Sequence, residues 1–123
     1  MIVLLDTSLL LLMAEKPVDL DRLVELVGRF DFAVPATVMA ELRSMTAGTG
    51  RRSRLARSAL SFASKQRQVD AAGEVDGSLV DLASKGGSAV ATMDAELIGR
   101  LRGRGVPVLT LRGDRFALLG PEP

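Results

Sequence analysis

The chain has no cysteine and no histidine. Without cysteine there is no disulfide framework, no thiolate metal site and no thiol nucleophile. Without histidine, Ser-His and Cys-His nucleophilic schemes fall away, and so does His-ligated zinc. Tryptophan and tyrosine are missing too, and the aromatic content is 3%, all phenylalanine. A platform that stacks the bases of a single strand is therefore not expected. Any catalysis has to run on carboxylates, hydroxyls, lysine or arginine.

A membrane-spanning run is also lacking. Ile2 to Ala14 is apolar, but Asp6 interrupts it and no basic segment precedes it. The run is too short to cross a bilayer. The expectation is a cytoplasmic protein with no membrane partner.

What is there fits one globular domain. The 123 residues are 47% hydrophobic and 25% charged, enough for a real core. The domain is expected over 1–120, with a frayed tail at 121–123. Net charge is +1, which by itself implies no nucleic-acid partner. The distribution says more than the sum. Between Leu42 and Val69 no acidic residue occurs, while Arg43, Arg51, Arg52, Arg54, Arg57, Lys65 and Arg67 do.

Hydrophobic periodicity lays out the elements. Ile2–Leu5 reads as a buried strand, and Leu9–Met13 as a short apolar helix or continuation. Asp19 can cap a helix with Leu20, Leu23, Val24 and Val27 on one face, closed by Gly28. Phe32–Val34 is a second strand, and Pro35 can open the next helix at its first turn. That helix turns Val38, Met39, Leu42 and Met45 inward and leaves Glu41 at the edge of the buried face. The 47–50 stretch, Ala-Gly-Thr-Gly, is a break. A basic helix follows from Arg51 to about Lys65, with Leu55, Ala59, Leu60 and Ala63 inward. After Gly73, Val75, Leu79, Leu82 and Ala83 form another helical stripe, with Asp76 near its start and Gly86-Gly87 at its end. Ala89–Thr92 is a third strand. Asp94 can cap a helix holding Leu97, Ile98 and Leu101. Val106–Leu111 is a fourth strand, edge-tolerant because of Pro107, and Leu118-Leu119 adds a last short element. Alternating strands and helices imply an α/β domain with a central parallel sheet of about four to five strands and helices on both faces.

Four carboxylates recur at comparable places. Asp6 and Asp94 each follow a short apolar strand, and Glu41 and Asp76 each sit on a helix after a break. In a parallel α/β sheet, strand ends and helix starts share one edge, so the four can converge. Four carboxylates held close together need cations to stay ionised. Hard oxygen donors select Mg²⁺ or Mn²⁺, and two such ions about 3.5–4 Å apart suit phosphodiester hydrolysis. Each residue also has an ordinary reading. Asp6 and Asp94 can be helix caps, Glu41 a solvated rim residue and Asp76 a complement to a helix dipole. Thr7 and Ser8 can bond local backbone only, and the basic run can be a solvated helix face. It is the joint occurrence that points to chemistry.

The same residues resemble the motifs of PIN domains. Leu4-Leu5-Asp6-Thr7-Ser8 is similar to the opening D-T-N/S motif. The 34–42 stretch, Val-Pro-Ala-Thr-Val-Met-Ala-Glu-Leu, is similar to the second, with its acidic residue on the helix. Val75-Asp76-Gly77-Ser78-Leu79-Val80 is similar to the third, and Ala91-Thr92-Met93-Asp94 to the T-x-D motif. Residues 101–111 resemble the end of archaeal PIN proteins close to the Fcf1/Utp24 type that processes rRNA. VapC toxins are more distant. The resemblance covers nearly the whole chain. It implies a PIN fold and a Mg²⁺- or Mn²⁺-dependent ribonuclease, with Asp6, Glu41, Asp76 and Asp94 as catalytic metal ligands. Ser8, Thr92 and Glu96 are accessory, Glu96 as a further ligand or a solvent-facing residue. Arg43, Arg51, Arg52, Arg54 and Arg57 are the candidate RNA contacts. Two departures stand out: many relatives carry Asp-Asp where this chain has Asp76-Gly77, and Asn where Met93 stands.

These expectations leave an rRNA-processing enzyme, a VapC-like toxin ribonuclease and a weakly catalytic RNA-binding module as alternatives. A homodimer, an antitoxin and a ribosome-processing partner stay open as associates. A receiver-like phosphoacceptor domain fits the strand-end aspartates but lacks a lysine after a late strand.

Overall fold

The computed structural model describes residues 1–121. Glu122 and Pro123, part of the tail expected to fray, lie outside the described residues. Six strands form one sheet in the order β3-β2-β1-β4-β5-β6. They are β1 (Ile2–Leu5), β2 (Asp31–Pro35), β3 (Arg67–Val69), β4 (Ser88–Ala91), β5 (Val108–Arg112) and β6 (Arg115–Leu119). The first five run parallel, and β6 turns back antiparallel on β5. The helices are α1 (Thr7–Glu15), α2 (Asp21–Val27), α3 (Ala36–Ser44), α4 (Arg51–Ser64), α5 (Val75–Ala83) and α6 (Ala95–Gly103). Among the described residues no helix is long and apolar enough to cross a membrane.

The strand order explains the layering. From β1 the chain moves outward through β2 to β3, then crosses back to β4 and outward again to β5. Right-handed crossovers in these two opposite directions put the two sets of helices on opposite faces. Accordingly, α1, α3 and α4 pack on one another, while α5 packs on α6 and β4. The central strands β1 and β4 bury Val3, Leu4, Leu5, Ala89, Val90 and Ala91 completely or nearly so, as a sheet covered on both sides requires. The crossover also sets where the site lies. The strand order reverses between β1 and β4, and their carboxyl ends open the crevice in which open α/β sheets bind ligands.

The expected α/β class is what the chain adopts, with a six-stranded sheet. The strand β3 was not anticipated: Arg67-Gln68-Val69 is short and polar, and an edge strand needs little apolar content to pair with β2. Pro107 precedes β5 rather than marking an edge, because β5 is flanked by β4 and β6. Pro35 is the last residue of β2 and the cap of α3, with extended backbone angles, not a first-turn residue. Leu20, not Asp19, is the cap residue of α2, and Asp19 one position earlier accepts from the Asp21 N–H at 3.0 Å. The α2 stripe is only half used, since Leu20 and Val24 are 41% and 52% exposed. On α4 the buried contacts are Ala56, Ala59 and Ala63, with Leu55 and Leu60 partly covered. Small residues let α4 approach α1 and α3 closely. Gly86 and Gly87 both take positive φ, 89° and 76°, so the turn into β4 needs residues without a Cβ.

The four phenylalanines are all committed to packing. Phe30, Phe32 and Phe62 form a tilted, edge-to-face cluster with centroid separations of 4.9 and 6.0 Å, and Phe116 is 1% exposed in β6. None of the four lines the carboxylate cavity, so no ring stands there to stack a base. Because Phe116 fills the end of the core beside β5, Phe116→Ala is expected to cost about 3–5 kcal/mol, read from urea unfolding. A loss under about 1 kcal/mol would show that β6 is dispensable to the core.

Candidate functional site

The site begins with Asp6, the residue after β1. It is 4% exposed, and a buried carboxylate needs hydrogen-bond donors around it. It has three. Oδ1 accepts from the Thr7 N–H at 2.8 Å, capping α1. Oδ2 accepts from Ser8 Oγ at 2.9 Å and from Thr92 Oγ1 at 2.6 Å. Thr92 follows β4 and is fully buried, and its oxygen in turn accepts from the Asp94 N–H at 3.0 Å. Ser8 Oγ accepts from the Met93 N–H at 3.1 Å. These bonds stitch the ends of β1 and β4 together across 86 residues of chain. Ser8 thus bonds across the sheet rather than only locally, and Thr7 Oγ1 is buried with no partner.

Asp94 caps α6, with Oδ1 accepting from the Glu96 and Leu97 N–H groups at 2.9 and 3.2 Å. Its Oδ2 stays free of those contacts. Asp76 lies in the first turn of α5. Glu41 is on α3, one turn after Thr37 on the same face. Thr37 Oγ1 lies 2.7 Å from Ser78 Oγ, and Ser78 donates onward to the Val75 carbonyl at 2.7 Å. This hydroxyl pair joins α3 to α5 beside their acidic residues.

Asp6, Glu41, Asp76 and Asp94 line one cavity of about 410 Å³, together with Thr7, Ser8, Leu11, Arg52 and Val75. Convergence at one sheet edge is what the topology demands. The carboxylates surround the cavity rather than meeting at a point: among the described residues, no three acidic side chains are close enough to hold one ion as they stand. Their mutual field is nevertheless felt. Burial, then the charges of Asp6 and Asp94, and last that of Glu74, raise the Asp76 carboxyl above its ordinary range, while the Arg100 guanidinium works in the other direction. An all-oxygen anionic donor set of this kind fits a hard divalent cation such as Mg²⁺ or Mn²⁺.

The remaining expected residues distribute unevenly. Thr92 lies beneath the cavity as the partner of Asp6. Glu96 is exposed and offers the site only its backbone N–H, through Asp94. Of the basic run, Arg52 alone reaches the carboxylate cavity. Arg51 pairs with Glu15 at 3.1 Å. Arg54 donates to the Thr49 carbonyl at 3.2 Å, and Arg57 to the Thr46 and Gly48 carbonyls at 2.8 and 3.1 Å. These two side chains hold the 46–50 turn, which the sequence suggested was a loose break. Arg43 and Arg57 line a separate cavity of about 510 Å³ between α3 and α4. Sequence reasoning missed the Thr37–Ser78 bridge and Arg100. The bridge carried no spacing signal. Arg100 stands outside the basic run, and only the packing of α6 on α5 brings its charge near Asp76.

The chain belongs to the PIN-like domain family, whose model matches residues 3–114. Among solved structures it is similar to that of "the PIN domain endonuclease Utp24". The TM-score is 0.75 and the identity 23%, covering 98% of this chain and 92% of that one. It is also similar to PAE2754 from Pyrobaculum aerophilum. There the TM-score is 0.53 and the identity 17%, covering 80% of this chain and 78% of that one. At these identities the likeness to the two structures is one of fold. A comparison with curated proteins finds no match.

The raised Asp76 has a consequence for stability. Its proton affinity is higher in the folded than in the unfolded state, so the folded state binds more protons through that window. Stability of the metal-free protein therefore falls as pH rises from the ordinary carboxylate value, about 4, to the raised one, and stays reduced above it. Asp76→Asn removes this penalty. The variant is expected to melt about 1–3 °C higher than wild type at pH 7 without divalent ions, the gain vanishing near pH 3. An equal or lower melting temperature at pH 7 would show that the carboxylates do not repel one another there.

Proposed function

We propose that the chain is a divalent-metal-dependent endoribonuclease that hydrolyses RNA phosphodiester bonds. The single observation that carries this reading is the cavity at the β1/β4 edge, where four carboxylates and one guanidinium face the same space. The PIN-like family and the fold shared with the Utp24 endonuclease support it. Asp6, Glu41, Asp76 and Asp94 are the residues that would hold Mg²⁺ or Mn²⁺. When bound, such an ion acidifies a water and offsets charge on the phosphoryl group.

The chain's own residues have separate roles in this reading. Ser8 and Thr92 fix Asp6 Oδ2, so one oxygen position is set by two hydroxyls before any ligand arrives. Asp94 spends one oxygen on the α6 cap and keeps the other for the cavity. The Thr37–Ser78 bond holds Glu41 and Asp76 on adjoining helices. Arg52 offers a planar pair of donors to a phosphate oxygen. With no phenylalanine lining the cavity, substrate recognition relies on backbone charge and RNA shape. The reading places the protein with RNA in the cytoplasm, in rRNA processing or as a VapC-like toxin; a neighbouring antitoxin gene would favour the toxin.

One observation favours a second reading, an RNA-binding PIN domain with weak metal affinity. Gly77 stands where the resemblance to PIN domains puts a second aspartate in many relatives. A Cβ there would come within 3.3 Å of Glu74 Cγ, a tight contact that a small shift of the exposed Glu74 side chain relieves. The two readings separate on metal.

Cleavage of a structured RNA is expected with Mg²⁺ or Mn²⁺, poorly with Ca²⁺, whose longer bonds and higher ligand number misplace the water. Asp94→Asn and Asp6→Asn should each lower it at least about a hundredfold. They should also abolish the Mn²⁺-induced rise in melting temperature. Undiminished cleavage in EDTA would sink the metal mechanism. RNA binding with no cleavage in any of these ions would establish the second reading.

A further inference from the structure

The connection from β4 to α6 consists of Thr92, Met93 and Asp94. Two of its side chains serve the carboxylate cavity. Thr92 donates to Asp6 Oδ2, and Asp94 lines the cavity while capping α6. The third, Met93, has no part in the lining. It is 36% exposed, so burial alone does not fix its place. The sulfur does. Met93 Sδ accepts from the Thr110 hydroxyl at 3.3 Å and from the Leu111 N–H at 3.4 Å, both on β5.

Strand geometry explains why a donor waits there. The pairing of β4 with β5 ends at Ala91↔Leu109, and just beyond it the Thr92 N–H reaches the Leu109 carbonyl at 3.0 Å. Backbone groups two residues apart on a strand point the same way, so the Leu111 N–H also points to the β4 side. By then β4 has ended and the chain has turned toward α6. Leu111 is 4% exposed, and a buried backbone N–H needs an acceptor. The Met93 sulfur takes the place of the carbonyl that a longer β4 would have offered.

A thioether is a weak acceptor, but two donors converge on this one. The backbone of the same residue is held too. Its N–H donates to Ser8 Oγ at 3.1 Å, and Ser8 donates to Asp6 Oδ2 at 2.9 Å. Met93 thus joins the end of β5 to one of the hydroxyls that fix Asp6. Its chain neighbours are the other hydroxyl, on Thr92, and the cap carboxylate Asp94.

We infer that Met93 is a positioning residue for the carboxylate centre. Its thioether latches the 92–94 connection to β5 and so holds Asp6 and Asp94 in the places from which they would bind a divalent cation. The inference rests on the metal-binding part of the reading above. It also accounts for one departure from the PIN motifs. Asparagine, which the resemblance puts here in many relatives, carries Oδ1 the same number of bonds from Cα as the methionine sulfur, so it too offers an acceptor.

The test compares Met93→Leu and Met93→Asn with wild type. Leucine has a methyl carbon where the sulfur stands and accepts nothing. Asparagine accepts but packs poorly against apolar groups. If Met93 only packs, leucine is the conservative exchange and asparagine the damaging one. A latch demands the reverse order. The readouts are hydrogen exchange of the Leu111 amide in the metal-free protein, Mn²⁺ affinity by calorimetry, and cleavage of a structured RNA in Mn²⁺. In Met93→Leu the Leu111 amide should exchange about tenfold faster. The same variant should bind Mn²⁺ about threefold to tenfold more weakly and lose kcat with the KM for RNA unchanged. Met93→Asn should restore all three to within about twofold of wild type. Met93→Leu equal to wild type in Leu111 exchange, or binding Mn²⁺ at least as tightly as Met93→Asn, overturns the latch and leaves the nuclease reading intact. Mn²⁺ affinities in the latch order, with no RNA cleavage by wild type, sink the nuclease reading and uphold the latch. A wild type that binds no Mn²⁺ overturns both.

Discussion

A carboxylate at the end of a fully buried strand is costly, and the way Asp6 is compensated organises the molecule. Its donors come from two places far apart in the chain: its own helix start, Thr7 and Ser8, and the end of β4, Thr92. Meeting that demand requires β1 and β4 to lie side by side in register, which they do from Ile2↔Ser88 to Leu5↔Ala91. The adjacency of β1 and β4 is also the point where strand order reverses. One electrostatic requirement and one topological feature therefore coincide, and the crevice between them is where the other carboxylates collect.

The ordinary and the functional readings of the aspartates turn out to be two ends of the same side chain. Asp94 caps α6 with one oxygen while facing the cavity with its carboxylate, and Asp6 caps α1 with Oδ1 while Oδ2 is held by two hydroxyls. A helix cap fixes a carboxylate's position at a strand end, and at Asp94 it engages one oxygen and leaves the other. Glu41 and Asp76 lack such caps and sit mid-turn on helices. Their placement relies on Thr37 and Ser78, which lock α3 to α5.

The α/β class with its parallel sheet, and the placement of four carboxylates along one sheet edge, were legible because both follow from strong local signals: short aliphatic runs ending in aspartate, and helical stripes after breaks. The PIN-type motifs added the order in which those signals come. What was not legible depends on non-local packing. The strand β3 is recognised as a strand only by its pairing with β2. Leu20 and Val24 obey helical periodicity but lie beyond the reach of the core. The arginines of α4 read alike in sequence, yet one faces the cavity, one pairs with Glu15 and two hold a turn. Composition sets their charge, while the helix rotation decides its use.

The bond between Thr92 and Asp6 also sets a timetable. Its two ends are separated by 86 positions, and α2, from the first third of the chain, packs on β6, the last strand. Contacts of such long sequence separation carry a large loop-closure cost and form slowly. A chain emerging from the ribosome carries Asp6 long before Thr92 exists to hold it, and an unburied α2 face until β6 is made. The cleft is thus completed only after Thr92, the α5 residues that line it and the α6 cap Asp94 have been made.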